Sequence, residues 1–261
     1  VSPVSISASS ADLESLPADL ERRFGGLRRL WGDAGYERVR AAEVAVVGVG
    51  GVGSWAAEAL ARCGVARLLL VDLDQIAESN INRQVQALGS TVGAAKVDVL
   101  RQRIADIHPG CRVDTVEDFV EPENFPGLLP WLPQVLVDAC DAQPAKLAMA
   151  RWAMASGHSL VTVGAAGGKS EVQRVDVADL AEVTHDPLLA RLRQQLRREG
   201  APREGAIGLR CVFSRETVRR PEGVCDADGS LNCHGYGSSV MVTATFGMAA
   251  AAEALRLIRT A

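Results

Sequence analysis

Short apolar runs alternate with amphipathic stretches through the middle of this chain. Residues 44–49 read as a buried strand, 54–63 as a helix closed by Gly64, and 66–72 as a second strand, which makes one βαβ unit. Residues 94–107 place Val97, Leu100, Ile104 and Ile107 at helical spacing, and His108-Pro109-Gly110 stops the run. Strands are predicted at 111–116, 134–139 and 159–163, with a helix at 145–156. Residues 128–132 are too interrupted by proline to make a good helix.

After Gly164-Ala-Ala-Gly-Gly168 the alternation changes. A strand is predicted at 171–177 and a helix at 187–198, while 199–238 holds Gly, Pro and charge around one short strand near 209–213. Structureless loops of that length are uncommon in compact domains, so the interval reads as a functional or mobile excursion. An Ala-rich helix at 238–258 closes the chain and packs on the sheet or across an oligomer interface. The pattern predicts an α/β fold: a Rossmann-like, mostly parallel sheet with helices on both faces, and a C-terminal part with additional strands and a long loop excursion. The organisation expected is a flexible tail over 1–20 and a single domain over 21–261, with 199–238 as its loop-rich excursion.

Composition changes this picture in three ways. With 261 residues, 48% of them hydrophobic, the chain can bury a sizeable core. A net charge of -4 gives no general attraction to nucleic acid, so an RNA contact needs a local basic patch. Arg191, Arg193, Arg197, Arg198 and Arg203 form one candidate, extended by Arg215, Arg219 and Arg220; the plainer reading is a solvated helix face. The six cysteines, at 63, 111, 140, 211, 225 and 233, form no CxxC pair, so free thiols are expected and a tetrahedral zinc site is not. Residues 1–20 lack the basic start and apolar segment of a signal peptide. No stretch has the length of apolar sequence that crosses a bilayer, and a soluble, cytoplasmic protein is expected.

The chemistry concentrates after the first strand. Gly48, Gly50, Gly51 and Gly53 let the backbone turn tightly and approach a phosphate at a helix N-terminus, and Asp72, closing the second strand, can accept from ribose hydroxyls. That much suits NAD, FAD or ATP equally. Arg83 and Lys96 shift the balance to a triphosphate, which carries more charge to offset than a dinucleotide. Lys96 could be an exposed residue on an amphipathic helix, but the chain has only three lysines, at 96, 146 and 169, so an ammonium here is not background. Asp138 stays open between a structural cap and a metal-linked carboxylate. Cys140 reads as packed and Cys233, beside His234, as a plain loop thiol.

The combined string (the glycines, Asp72-Leu-Asp74, Ser79-Asn80-Ile-Asn82-Arg83-Gln84, Lys96 and Asp138-Ala-Cys-Asp141) resembles the ubiquitin-activating-like adenylating enzymes, the ThiF/MoeB/HesA superfamily, over about residues 20–180. Within it the chain looks most like the tRNA threonylcarbamoyladenosine dehydratases. That likeness lies in Arg23-Phe-Gly-Gly26, Arg29-Leu-Trp-Gly32, residues 53–62 and 164–168, Cys211-Val-Phe-Ser214 and residues 242–247. The resemblance implies that Asp72, with Asp74 beside it, meets the ATP ribose. It also implies that Arg83 and Lys96 contact the phosphates, that Asn80 and Gln84 line the same pocket, and that Asp141 holds Mg2+, with Arg83, Lys96 and Asp141 as the catalytic set. It implies ATP-dependent cyclisation of threonylcarbamoyladenosine in tRNA, a homodimer, and an arginine from the partner's N-terminal helix. The position that normally carries this arginine reads Gly26, so Arg23 or Arg29 must substitute or the contact is absent. Sulfur-transfer proteins and a monovalent cation (Na+ or K+) stay open. The rival reading is adenylation of the C-terminus of a ubiquitin-like or sulfur-carrier protein, whose activators often carry two CxxC pairs that this chain lacks. An NAD-dependent oxidoreductase and a non-catalytic nucleotide-binding module are the alternatives from other classes.

Overall fold

The computed structural model describes residues 18–218 and 236–260. In chain order the elements are α1 (Leu20–Arg40), β1 (Glu43–Val47), α2 (Gly53–Arg62), β2 (Arg67–Val71), α3 (Lys96–Ile107), β3 (Arg112–Val116), β4 (Val135–Asp138), α4 (Gln143–Ser156), β5 (Ser159–Val163), β6 (Val175–Asp179), α5 (Pro187–Arg198), β7 (Arg210–Ser214) and α6 (Val240–Thr260). They build one seven-stranded sheet in the order β3-β2-β1-β4-β5-β7-β6. All neighbours run parallel except the antiparallel β6–β7 pair.

A parallel sheet needs both faces covered, and β1 shows how the alternation does this. Val44 and Val46 enter a core with Ala56 and Leu60 of α2, Val97, Leu100 and Ile104 of α3, and Phe246 and Ala250 of α6. Ala45 and Val47 face the opposite core, with Met149 and Ala150 of α4 and Leu189, Leu192 and Leu196 of α5. The strand order reverses between β1 and β4, and crevices for ligands form at that switch point, beyond the carboxyl ends of the strands.

Three elements differ from the sequence expectation. The tail expected over 1–20 lies mostly outside the described residues, but Leu20 already begins α1, capped by the Asp19 carboxylate on the Arg22 amide at 3.0 Å. The strand expected at 171–177 starts instead at Val175, after a short 3-10 turn over Val172–Arg174. The Glu216 carboxylate takes the Ser170 and Glu171 amides, so the ladder cannot begin there. The C-terminal helix α6 begins and ends two residues later than expected, and against the expectation that no stretch could span a bilayer, its 21 residues are apolar enough by length and composition to cross a membrane. Its Val242, Phe246, Ala250, Ala254 and Ile258 are buried against the sheet and α2, which makes it a core helix.

The described half of 199–238 carries β7, an interior strand paired parallel to β5. The Asp179 carboxylate pins the connection before it by accepting from the Ala181, Ile207 and Gly208 amides at 2.7–2.9 Å. Residues 219–235, with Arg219, Arg220, Cys225, Cys233 and His234, lie outside the described residues. Cys63, Cys111, Cys140 and Cys211 are free thiols.

Candidate active site

β1 leads directly into the cradle. The Gly48 amide still donates to Val71 O at 2.8 Å, then the chain turns with Gly48 at φ +81°, and a Cβ on Gly53 would sit 1.8 Å from Gly48 O. Only glycine permits that turn and that approach. α2 starts at Gly53 with no side-chain cap and no acidic residue in its first turn, so its dipole favours an anion there, although the Ser54 amide already donates to Gly50 O at 3.1 Å. Gly48, Gly50 and Gly51 line a cavity of about 730 Å³, while Gly53 sits behind it as the residue that lets the cradle close.

Asp72, at the end of β2, braces this turn: its carboxylate accepts from the Val49 amide at 2.7 Å and the Asp74 amide at 2.9 Å. Burial pushes the Asp72 carboxyl upward, against the pull of Lys96 and the two amides. Lys96 is the first residue of α3, where the helix dipole disfavours a cation. Its Nζ compensates by lying 2.6 Å from the Asp74 carboxylate and 3.8 Å from that of Asp72. Arg83 donates to Ser79 O at 2.6 Å and Asn82 Oδ1 at 3.0 Å, and its own carbonyl accepts from the Trp55 indole at 3.0 Å. Asn80 accepts from the Ala77 amide at 3.1 Å and is buried, as is Gln84.

Asp72, Asp74, Asn80, Arg83, Gln84, Lys96 and Asp141 all line the same cavity as the glycines. Asp141 stands exposed in the loop after β4. The cavity runs along the carboxyl ends of β2, β1, β4 and β5, from Asp72 and the loop 118–123 past the glycines to Asp141, residues 163–167 and Leu188. Arg83, Lys96 and the glycine turn gather at its centre, which suits a polyanion. A second cavity of about 500 Å³ opens at the starts of β4 and β5, away from all these residues.

Asp138 does not line the cavity. It is fully buried, 2.6 Å from the Lys146 ammonium, and accepts from the Thr162 hydroxyl and from Cys140, whose Sγ is at 3.0 Å. That settles it as structural. Lys146 spends its remaining donors on Thr162 Oγ1 at 3.1 Å and Val163 O at 3.0 Å. Burial works against the Lys146 charge, but the Asp138 carboxylate outweighs it and raises the pKa. Burial also pushes the Cys140 thiol well up, so it is packed and no thiolate.

Other candidates separate. Arg23 caps the end of α3, donating to Asp106 O and Ile107 O, whereas Arg29 is exposed and bonds to nothing among the described residues. Arg193 is spent on Leu180 O and Val183 O, Arg197 on Pro202 O, and Arg215 on Asp176. Arg191, Arg198 and Arg203 remain exposed. Residues that sequence reasoning missed are Phe119, exposed on the cavity's edge, Thr243 of α6, and the buried pair Lys169–Asp186. The scarcity of lysine was a usable signal for the last.

Comparison with known proteins agrees with this arrangement. The ThiF family model matches residues 25–261. The chain is 41% identical over 248 residues to the tRNA threonylcarbamoyladenosine dehydratase of Escherichia coli (strain K12), covering 90% of this chain and 92% of that protein. The crystal structure of the E. coli tRNA N6-threonylcarbamoyladenosine dehydratase in complex with ATP is similar with a TM-score of 0.84 and 38% identity, covering 94% of this chain and 97% of that one. Ubiquitin-like modifier-activating enzyme 5 of Arabidopsis thaliana is 46% identical, but over 87 residues, 33% of this chain and 20% of that protein. The likeness thus extends along nearly the whole chain, and this protein belongs to the ThiF family.

Proposed function

We propose that this protein uses ATP to activate the carboxylate of the threonylcarbamoyl group on a tRNA adenosine and closes it into a ring. One observation carries the reading: a single cavity joins the glycine cradle, Arg83 and Lys96 to Asp141 and the loop 163–167, in a chain similar to the dehydratase over nine-tenths of its length. A free carboxylate is a poor acyl electrophile because its oxygen leaves badly. Attack of that oxygen on the α-phosphorus forms a C–O–P link and expels pyrophosphate. An internal nitrogen then attacks the acyl carbon, AMP leaves with the oxygen, and the nitrogen's proton passes to solvent, so the nucleoside loses the elements of water. Both ends of the ring belong to one nucleoside, which makes closure effectively unimolecular.

The chain's own residues supply position and charge. The cradle amides and the guanidinium of Arg83 face the phosphates, and Asp72 takes the ribose. Lys96, sitting on Asp74, follows the charge that develops as pyrophosphate departs. Among the described residues no group of three or more His, Cys, Asp or Glu side chains could cage a metal. Asp141 therefore fits Mg2+ as a single hard-oxygen ligand, the ion's other ligands being phosphate and water, and Mg2+ would neutralise phosphate charge there.

The oligomer is read as a homodimer in which Arg29 reaches the partner's site, since Arg23 is held by the carbonyls at the end of α3; Arg29→Ala lowering turnover in the dimer supports this, and unchanged turnover contradicts it. Residues 21–261 are read as one domain because a single sheet runs through them. Arg191, Arg198 and Arg203 are the RNA-facing cations, and the setting is the cytoplasm, where tRNA is found. Incubating the purified protein with ATP, Mg2+ and threonylcarbamoyladenosine-bearing tRNA gives a nucleoside lighter by one water. No mass change beside an active control overturns the reading. ATP–pyrophosphate exchange stimulated by a carrier protein and not by tRNA replaces it with the rival.

A further inference from the structure

The loop 164–168 follows β5 and forms one wall at the Asp141 end of the cavity, with residues 163–167 all on its lining. Its fixation is unusual. The Ala165 amide donates to Asp186 Oδ2 at 2.9 Å, and the same oxygen lies 3.5 Å from Lys169 Nζ, both side chains being fully removed from solvent. The other Asp186 oxygen caps α5 by accepting from the Leu189 amide at 3.0 Å. Lys169 also stands over the Phe246 ring of α6, 5.7 Å from its centroid, and the Gly168 amide donates to Gly237 O at 2.9 Å. A Cβ on Gly164 would fall 2.2 Å from Asp186 Oδ2, so the loop and the carboxylate are fitted to each other at van der Waals contact.

Within this clamped loop the amides of Gly164, Ala165 and Gly168 are all satisfied. Those of Ala166 and Gly167 find no acceptor among the described residues, although both residues are buried and both line the cavity. A buried amide without a partner is costly, and two in succession at a ligand cavity call for an oxygen on the ligand. The cradle already provides for the phosphates, so the oxygen left at this end of the cavity belongs to the acyl group.

We propose that the Ala166 and Gly167 amides form the acyl-oxygen site and that Asp186, with Lys169, is the positioning residue that holds it. The inference rests on the ring-closure reading. When the internal nitrogen attacks, the N–C bond forms as the carbonyl pair moves onto oxygen. The two amides receive that oxyanion until the pair returns and AMP departs. Preorganised amides of this kind stabilise charge only where it develops, so their loss slows closure more than it weakens ATP binding.

The test uses the full chain and two variants, Asp186→Asn and Gly164→Ala, the second shifting the loop without removing a charge. ATP affinity, pyrophosphate release and cyclised nucleoside are measured together with substrate tRNA. The expected result is ATP affinity within twofold of wild type, cyclisation at least tenfold slower, and a ratio of pyrophosphate to cyclised product that rises from about one to well above it. A merely structural role moves ATP affinity and thermal midpoint in step with turnover and leaves that ratio at one, which overturns the proposal, as do two variants that cyclise like wild type. If wild type itself binds ATP and forms no cyclised nucleoside, the functional reading fails and takes this inference with it.

Discussion

The chain's three lysines all lie beside the cavity, all bury, and all meet a carboxylate, yet the two halves of the molecule use them differently. In the β1–β2 half, Lys96 pairs with Asp74, whose side chain is 55% exposed, so a ligand can compete for the ammonium. In the β4–β5 half, Lys146–Asp138 and Lys169–Asp186 are at 0% on both sides, and Lys146 has spent its donors on oxygens of the protein. One lysine is available to substrate and two are scaffold. A compact ammonium with rotatable donors serves both tasks.

The largest effect expected from this contrast is on turnover. Lys96→Ala and Asp141→Ala each lower kcat by about 10²–10³ with little change in unfolding, because they remove charge stabilisation and not packing. Single-turnover kinetics beside a urea titration check both halves of that statement.

Across the sheet the signs reverse. Lys146→Met leaves Asp138 buried without its cation and costs about 3–5 kcal/mol of stability, whereas Asp138→Asn with Lys146→Met recovers most of it, since replacing both partners of a buried pair is often near neutral. Urea unfolding of the two single variants and the double variant measures the coupling. A double variant as unstable as the worse single variant would break the scaffold account.

A smaller effect depends on pH. Burial first, and then the guanidiniums of Arg40 and Arg23, push the His108 imidazole down from 6.5 to about 4. The unfolded chain therefore binds this proton below about pH 6.5 and the folded chain only near pH 4. Stability falls as pH drops through that window. His108→Gln flattens this limb of the urea midpoint between pH 6.5 and 4 if the imidazole is its source.

The smallest effect expected is at the RNA surface. Arg198→Ala weakens tRNA binding across sequences and lowers the slope of log affinity against log salt by about one, while Arg193→Ala, already committed to backbone carbonyls, leaves the slope alone. Filter binding at several salt concentrations separates the two.

Much of this was legible in the sequence where the chemistry is local. The glycines, Asp72, Arg83 and Lys96 lie within one βαβ unit and its flank, and short apolar runs gave β1, β2 and β5 to within two residues at either end. α1 was not legible because Gly25, Gly26, Gly32 and Gly35 weaken its pattern and it buries few apolar side chains besides Phe24, Tyr36 and Val39. Lys146 and Asp186 were not legible as a support for the cavity, because a lysine on a helix reads as solvated and an aspartate before Pro187 reads as a cap. The Asp186 cap is real, but its second oxygen reaches back to a loop more than twenty residues away, a contact that only the folded sheet creates.

The comparison is tested most directly by labelling with an ATP analogue that carries an amine-reactive acyl phosphate, followed by peptide mass mapping. The account predicts modification at Lys96, suppressed by excess ATP, with Lys146 and Lys169 untouched in the folded protein. Labelling of Lys146 or Lys169 at a similar rate, or labelling of Lys96 that ATP does not suppress, would contradict it.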